Sequence, residues 1–243
     1  MNWFSRTQLL IGEDGVKKLA GSHVLVVGLG GVGAYAAEQL ARAGIGTMTI
    51  IDSDTVNVTN KNRQLLALDS TLGRPKVDVM ADRIRDINPE INVIPINQYL
   101  KDQSIIDLMA QPFDFIVDAI DTLAPKVFLL YYAVQNKQKI VSCMGAGGKF
   151  NPEMIQITDI SKSYNCRLAF YIRKRLHRLG IREGITVVFS PEKVADTAFT
   201  IDEEQTDNKI ATVGTISYMP AVFGCFCASY VINALLSSCD QEH

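Results

Sequence analysis

Cysteine is sparse in this chain, and its few thiols are not arranged as a scaffold. Cys143, Cys166, Cys225, Cys227 and Cys239 make an odd number with no framework spacing, which excludes a disulfide-stapled fold and points to reduced thiols. The only close pair is Cys225-Phe-Cys227; two residues apart on a helix they face different ways, so no structural zinc is expected. The start, MNWFSRTQ, has no apolar run, so no signal peptide is read and the expected compartment is the cytoplasm. An excess of one charge sign is missing too. A formal net charge of -2 excludes a generally basic nucleic-acid coat and leaves room only for a local patch. From Thr212 to Cys239 there is no charged residue at all, a length that could span a bilayer. Gly214, Pro220 and Gly224 interrupt that stretch, and no cluster of Lys or Arg flanks its end. A helix buried in the protein or against a subunit is therefore expected, not a stable membrane span.

What is present reads as α/β. His23–Val27 is an apolar strand, Gly28–Gly33 a tight turn, Ala34–Ala43 a helix and Thr47–Ile51 a second strand, which is one βαβ unit. Pro75 suits the first turn of the next helix, and Ile91–Ile96 alternates like a strand. A helix near Ser104–Ala110, a strand at Phe113–Val117, a helix over Ala124–Asn136 and a strand at Lys139–Cys143 continue the rhythm. The expected fold is a Rossmann-like, doubly wound, mainly parallel sheet with helices on both faces. Beyond Gly148, MIQITDI and ITVVFS add strands, residues 195–211 read as a mobile polar loop, and an apolar helix follows. The 243 residues suit a single domain, with a nucleotide-binding core over about 20–150 and an extension over about 151–243.

Gly28, Gly30 and Gly33 fit G-x-G-x-x-G, with Gly31 an extra glycine inside it. Such a turn brings backbone close to phosphate and aims the free N–H groups of a helix N-terminus at the anion. Asp52 ends the next strand, where a carboxylate can accept both ribose hydroxyls. The turn alone would serve a hydride-carrying dinucleotide as well as ATP. A dehydrogenase needs a proton donor near its substrate, and the histidines are poorly placed for it: His23 opens a strand, His177 sits among arginines, and His243 is the last residue. Asn60, Arg63 and Lys76, by contrast, follow Asp52 closely enough to reach round to a triphosphate. Cations there would stabilise charge built on an α-phosphate under attack and on departing pyrophosphate. Asp121, just past the Phe113–Val117 strand, would sit at the carboxyl edge of the sheet and could hold Mg2+. The set favours ATP.

These residues resemble the ubiquitin-activating-enzyme-like adenylating family. The matching pieces are SRTQ at Ser5–Gln8, GLGGVG at Gly28–Gly33, DSD at Asp52–Asp54, NKNRQ at Asn60–Gln64, RPKV at Arg74–Val77 and DAIDT at Asp118–Thr122. The resemblance implies an ATP cradle made of Gly28, Gly30, Gly31, Gly33, Asp52, Asp54, Asn60, Arg63, Gln64, Lys76 and Asp121. It implies catalytic roles for Arg63, Lys76 and Asp121, the last holding Mg2+, and for Arg6 reaching the γ-phosphate end of ATP in a neighbouring subunit. A homodimer with composite sites follows, and a sulfur-transfer protein is admitted as a further partner.

Relatives that activate sulfur carriers commonly carry two C-x-x-C pairs for zinc, which this chain lacks. It looks closer to a zinc-free branch that acts on tRNA, with likeness extending through GAGGKFNP, VVFSPE and GTISYMPAVFG. That branch implies ATP-dependent cyclisation, a net loss of water, of threonylcarbamoyladenosine in tRNA through an acyl-adenylate. The alternative is adenylation of the C-terminal glycine of a ubiquitin-like carrier; an NAD(P)-dependent oxidoreductase would leave Arg6, Arg63 and Lys76 idle. For RNA contact the candidates are Arg167, Arg173, Lys174, Arg175 and Arg178, with Phe170 and Tyr171 interleaved; on one helix Arg167, Lys174 and Arg178 would share a side, and Arg175 and Arg182 a neighbouring one. A basic helix face could track phosphates while the aromatics stack on a loop base. Lys149, after Ala146-Gly147-Gly148, is a further candidate close to the reacting group.

Overall fold

The computed structural model describes residues 3–200 and 212–237. Seven strands form one sheet in the order β3-β2-β1-β4-β5-β7-β6. These are β1 (His23–Val27), β2 (Thr47–Asp52), β3 (Asn92–Asn97), β4 (Phe115–Asp118), β5 (Ile140–Cys143), β6 (Gln156–Asp159) and β7 (Thr186–Phe189). Every pairing is parallel except that of β6 with β7, which closes one edge antiparallel. Pro95 sits in β3 at the other edge, where a missing N–H costs the ladder least.

The period-2 alternation of the strands builds two cores. Val24 and Val26 of β1 join a cluster with α2 (Gly33–Ala43), α3 (Lys76–Ile87) and α7 (Tyr218–Ser237). Leu25 and Val27 face the other cluster, with α4 (Gln103–Met109), α5 (Leu123–Gln135) and α6 (Arg167–Arg178). The expected doubly wound sheet with helices on both faces is what forms. The β6 and β7 strands of the extension join the same sheet as the core.

The uncharged C-terminal stretch forms α7, long and apolar enough to cross a membrane by length and composition. Its stripe of Met219, Phe223, Cys227, Val231 and Leu235 is buried at a spacing of four, packed on α2 and the sheet. The start of α7 also backs the glycine turn: a Cβ on Gly31 would lie 2.9 Å from Pro220.

Three expectations need correction. The SRTQ segment opens a helix the strand–helix rhythm did not announce, α1 (Ser5–Ala20), broken at Gly12, whose φ of 72° interrupts it. Pro75 is the cap before α3 and not its first residue; its ψ of 134° is extended. Arg182 lies beyond the end of α6, past Gly180 at φ 84°, so it shares no helix face with Arg175. The expected loop over 195–211 lies largely outside the described residues; at its described margins Phe199–Thr200 pairs with Thr212–Val213.

Candidate active site

The carboxyl ends of β1, β2 and β4 converge on the glycine turn, as the crevice rule for open α/β sheets requires. Gly28 takes φ 88°, and a Cβ there would stand 2.8 Å from the carbonyl oxygen of Ala119. A Cβ on Gly33 would collide with the Gly28 carbonyl. Only glycine permits that turn to lie so close to the end of β4.

Asp52 locks the turn to β2. One carboxylate oxygen accepts the Leu29 N–H at 2.6 Å and the other accepts the Asp54 N–H at 2.8 Å. Burial holds its pKa above the ordinary value, outweighing the nearby Lys76 cation and the two N–H donors. An ionised carboxylate has about four lone-pair sites, so each oxygen keeps one for a ribose hydroxyl. Lys76 reaches the same place from the start of α3: buried itself, it donates to Asp54 at 2.7 Å. Asn60 ends a one-turn 3-10 helix and accepts the Asn57 N–H at 3.1 Å, which fixes the segment before Arg63. Arg63 donates to the Thr59 carbonyl at 3.0 Å and to Asn62 Oδ1 at 2.8 Å. Gln64 reaches the turn itself, its amide nitrogen 3.9 Å from where a Cβ on Gly30 would stand.

Asp121 is exposed just past β4. Among the described residues no three His, Cys, Asp or Glu side chains gather as metal ligands. Arg6 is exposed on the first turn of α1. His23 is structural: its ring pairs with Thr49 at 2.8 Å, at the strand end remote from the turn, and burial lowers its pKa.

Sequence reasoning missed the group beneath Asp121. Asp118 and Lys126 are both fully buried and pair at 2.8 Å. Ser142 donates to Asp118 at 2.6 Å, and Asp118 accepts the Ile120 N–H at 3.1 Å. Lys126 also donates to the Ile120 carbonyl at 3.0 Å. The pair thereby grips the turn that carries Asp121. Asn62 was missed as well; its amide donates to the Thr215 carbonyl at 2.9 Å and ties the segment that carries Arg63 to the chain entering α7.

Two residues expected to touch RNA are otherwise engaged. Lys149 is buried, with its ammonium donating to the carbonyls of Asn165, at 3.2 Å, and Glu192; burial lowers its pKa. Arg173 is half-buried and donates to the Ser163 carbonyl at 2.7 Å and to the Ser163 hydroxyl. Arg167, Lys174, Arg175 and Arg178 are exposed. Cys225 is exposed on α7 while Cys227 is buried, so the pair does face two ways.

The fold and this cradle define a Rossmann-type nucleotide-binding protein. The chain belongs to the ThiF family, which it matches over residues 4–243. It is 37% identical over 242 residues to the tRNA threonylcarbamoyladenosine dehydratase of Bacillus subtilis, covering 97% of this chain and 95% of the relative. The crystal structure of the Escherichia coli tRNA N6-threonylcarbamoyladenosine dehydratase in complex with ATP superposes with a TM-score of 0.90 at 35% identity, covering 99% of this chain and 96% of that one. The molybdopterin-synthase adenylyltransferase of E. coli is 43% identical over 111 residues, covering only 46% of this chain and 44% of the relative.

Proposed function

We propose that this protein uses ATP to dehydrate threonylcarbamoyladenosine in tRNA, closing the side chain into a ring. The observation that carries this reading is likeness to dehydratases along nearly the whole chain, where the likeness to a carrier-activating adenylyltransferase covers less than half of it. In this reading the glycine turn and Asp52 hold the nucleotide, while Arg63 and Lys76 leave their resting partners for the phosphates. The free carboxylate of the threonylcarbamoyl group attacks the α-phosphorus, and pyrophosphate departs. Arg63 and Lys76 stabilise the charge developing on the phosphoryl oxygens and the leaving group. A nitrogen or oxygen of the ureido group then attacks the acyl-adenylate carbonyl within the same side chain, and AMP leaves. Because nucleophile and electrophile are tethered, no protein thiol is required.

Asp121 would hold a magnesium ion, which supplies charge neutralisation on the triphosphate. The reading includes a homodimer in which Arg6 of one protomer serves the ATP of the other. Its support is the exposure of Arg6 beside Leu9 and Leu10, which are 88% and 85% exposed on the same helix. The cytoplasm is the proposed compartment.

The test uses purified protein, ATP, Mg2+ and tRNA bearing threonylcarbamoyladenosine, followed by digestion and mass analysis of the nucleosides. Loss of one water from that nucleoside only when ATP is present supports the reading. No mass change with protein that binds ATP overturns it in favour of a protein carrier.

A further inference from the structure

Tyr164, Asn165, Cys166, Arg167, Phe170 and Tyr171 line an open groove of about 360 Å³. Three aromatic rings stand unusually free there: Tyr164 and Phe170 are each 52% exposed and Tyr171 is 40% exposed. Phe170 and Tyr171 meet edge to face with centroids 5.4 Å apart, and the Arg167 guanidinium lies 6.0 Å from the Tyr171 ring centre. Exposing three rings together forgoes the burial each would gain in the core.

The groove is built from beneath. Arg173 holds the carbonyl of Ser163, and Lys149 holds the carbonyl of Asn165, on either side of Tyr164. Asn165 takes φ 51°, a left-handed conformation that asparagine tolerates, and its amide donates to the Pro191 carbonyl at 3.0 Å. The Tyr164 ring is braced against Phe189 at a centroid distance of 5.8 Å. The two cations expected to contact RNA thus act as buttresses, fixing one aromatic ring of the groove while the exposed cations stand around it.

The groove adjoins the chain just past β5, on the carboxyl side of the sheet. A Cβ on Gly145, just past β5, would be 3.7 Å from Cys166 Sγ, and β5 is the direct neighbour of β4, whose end leads to Asp121. We infer that this groove is a stacking platform for an unpaired nucleobase of the tRNA, with Arg167, Lys174 and Arg178 following the adjoining phosphates. Aromatic faces accept any base, and exposed arginines complement the polyanion. The inference rests on the tRNA reading above and gives it a surface.

The experiment measures binding of full-length protein to tRNA bearing threonylcarbamoyladenosine by fluorescence anisotropy, alongside ATP binding and the dehydration assay. Tyr164→Ala and Phe170→Ala, both at exposed side chains, are expected to weaken tRNA binding roughly tenfold or more each, with ATP binding unchanged. Tyr171→Phe keeps the ring and is expected to bind like the parent, whereas Tyr171→Ala is not. If the parent dehydrates tRNA and the alanine variants bind it undiminished, the platform is overturned while the function stands. If the parent binds tRNA through these rings but does not dehydrate it, the platform stands and the function falls. A parent that neither binds nor dehydrates tRNA overturns both and leaves the groove to an acidic protein partner.

Discussion

Replacing Lys126 by methionine is the sharpest test of how the catalytic edge is held. The ammonium is fully buried, 2.8 Å from an equally buried Asp118 carboxylate and 3.0 Å from the Ile120 carbonyl. Methionine fills nearly the same volume, so the substitution removes charge without opening a large cavity. Stripping one partner from a buried ion pair costs about 3–5 kcal/mol, because the other charge is left in a dry site. For a chain of this size each kcal/mol moves Tm by roughly 2–4 °C, so a fall of about 6–20 °C is expected. Urea denaturation followed by circular dichroism, without ATP, reads the free energy directly. The double variant Asp118→Leu/Lys126→Met tests whether stranded charge is the cause. It should recover part of the loss and no more, since Ser142 and the Ile120 N–H lose their acceptor at about 1–3 kcal/mol for a group left unsatisfied. A single-variant cost below about 1 kcal/mol, or a double variant that simply adds two losses, would refute the reasoning. Pyrophosphate release by the folded single variant should also drop, because the turn leading to Asp121 loses its grip.

Three further outcomes follow from the site. Arg63→Ala and Lys76→Ala should each depress adenylation about a hundredfold or more; normal pyrophosphate release by either would remove that residue from the chemistry. ATP affinity should fall as pH drops through the raised pKa of Asp52, a window lying above the ordinary aspartate value of about 4, because only the ionised form accepts both ribose hydroxyls. Asp52's effect on stability has the opposite sign: its raised folded pKa means that the native state binds more protons in that window, so its contribution declines as pH rises through it. Calorimetric ATP titrations across pH 4.5–7.5 on the parent and on Asp52→Asn separate this from titration of ATP itself; equal slopes in both would sink it. Cys225→Ser, at an exposed thiol, should leave turnover within about twofold, and a large loss in a folded variant would point to thiol chemistry.

The glycine turn and its lock to Asp52 were legible because their geometry is local. Gly28 to Gly33 and Asp52 are fixed by one βαβ unit, so spacing along the chain converts directly into position. Arg63 and Lys76 lie on the segment that leaves β2 and leads into α3, so the sequence sets them at the same sheet edge as Asp52. Residues joined across the sheet left no such trace. Lys126, in the first turn of α5, looks like any solvated lysine until the turn after β4 folds it back onto Asp118 and the β4–β5 pairing sets Ser142 alongside. The same blindness hides what holds Lys149 and Arg173: the sequence shows only basic residues near glycines and aromatics, while the carbonyls that accept from them, at Glu192, Asn165 and Ser163, come from distant segments or from across a turn.

Both cases share a physical reason, and it bears on how this edge of the sheet is organised. A lysine or arginine can serve a polyanion by touching it or by fixing the backbone that presents other groups to it. In this fold the division follows burial. The exposed cations Arg167, Lys174 and Arg178 are free to move with a ligand, whereas Lys126, Lys149 and Arg173 are spent on carbonyl oxygens at the turns past β4 and β5 and beside α6. Lys76 stands between these classes: buried along its stem, yet paired to an Asp54 side chain that is 66% exposed. A triphosphate entering the cradle can therefore compete for Lys76 against a solvent-weakened partner, which it could not do for Lys126. That difference in partner exposure is why the proposed reaction assigns Lys76 to the phosphates and Lys126 to the frame.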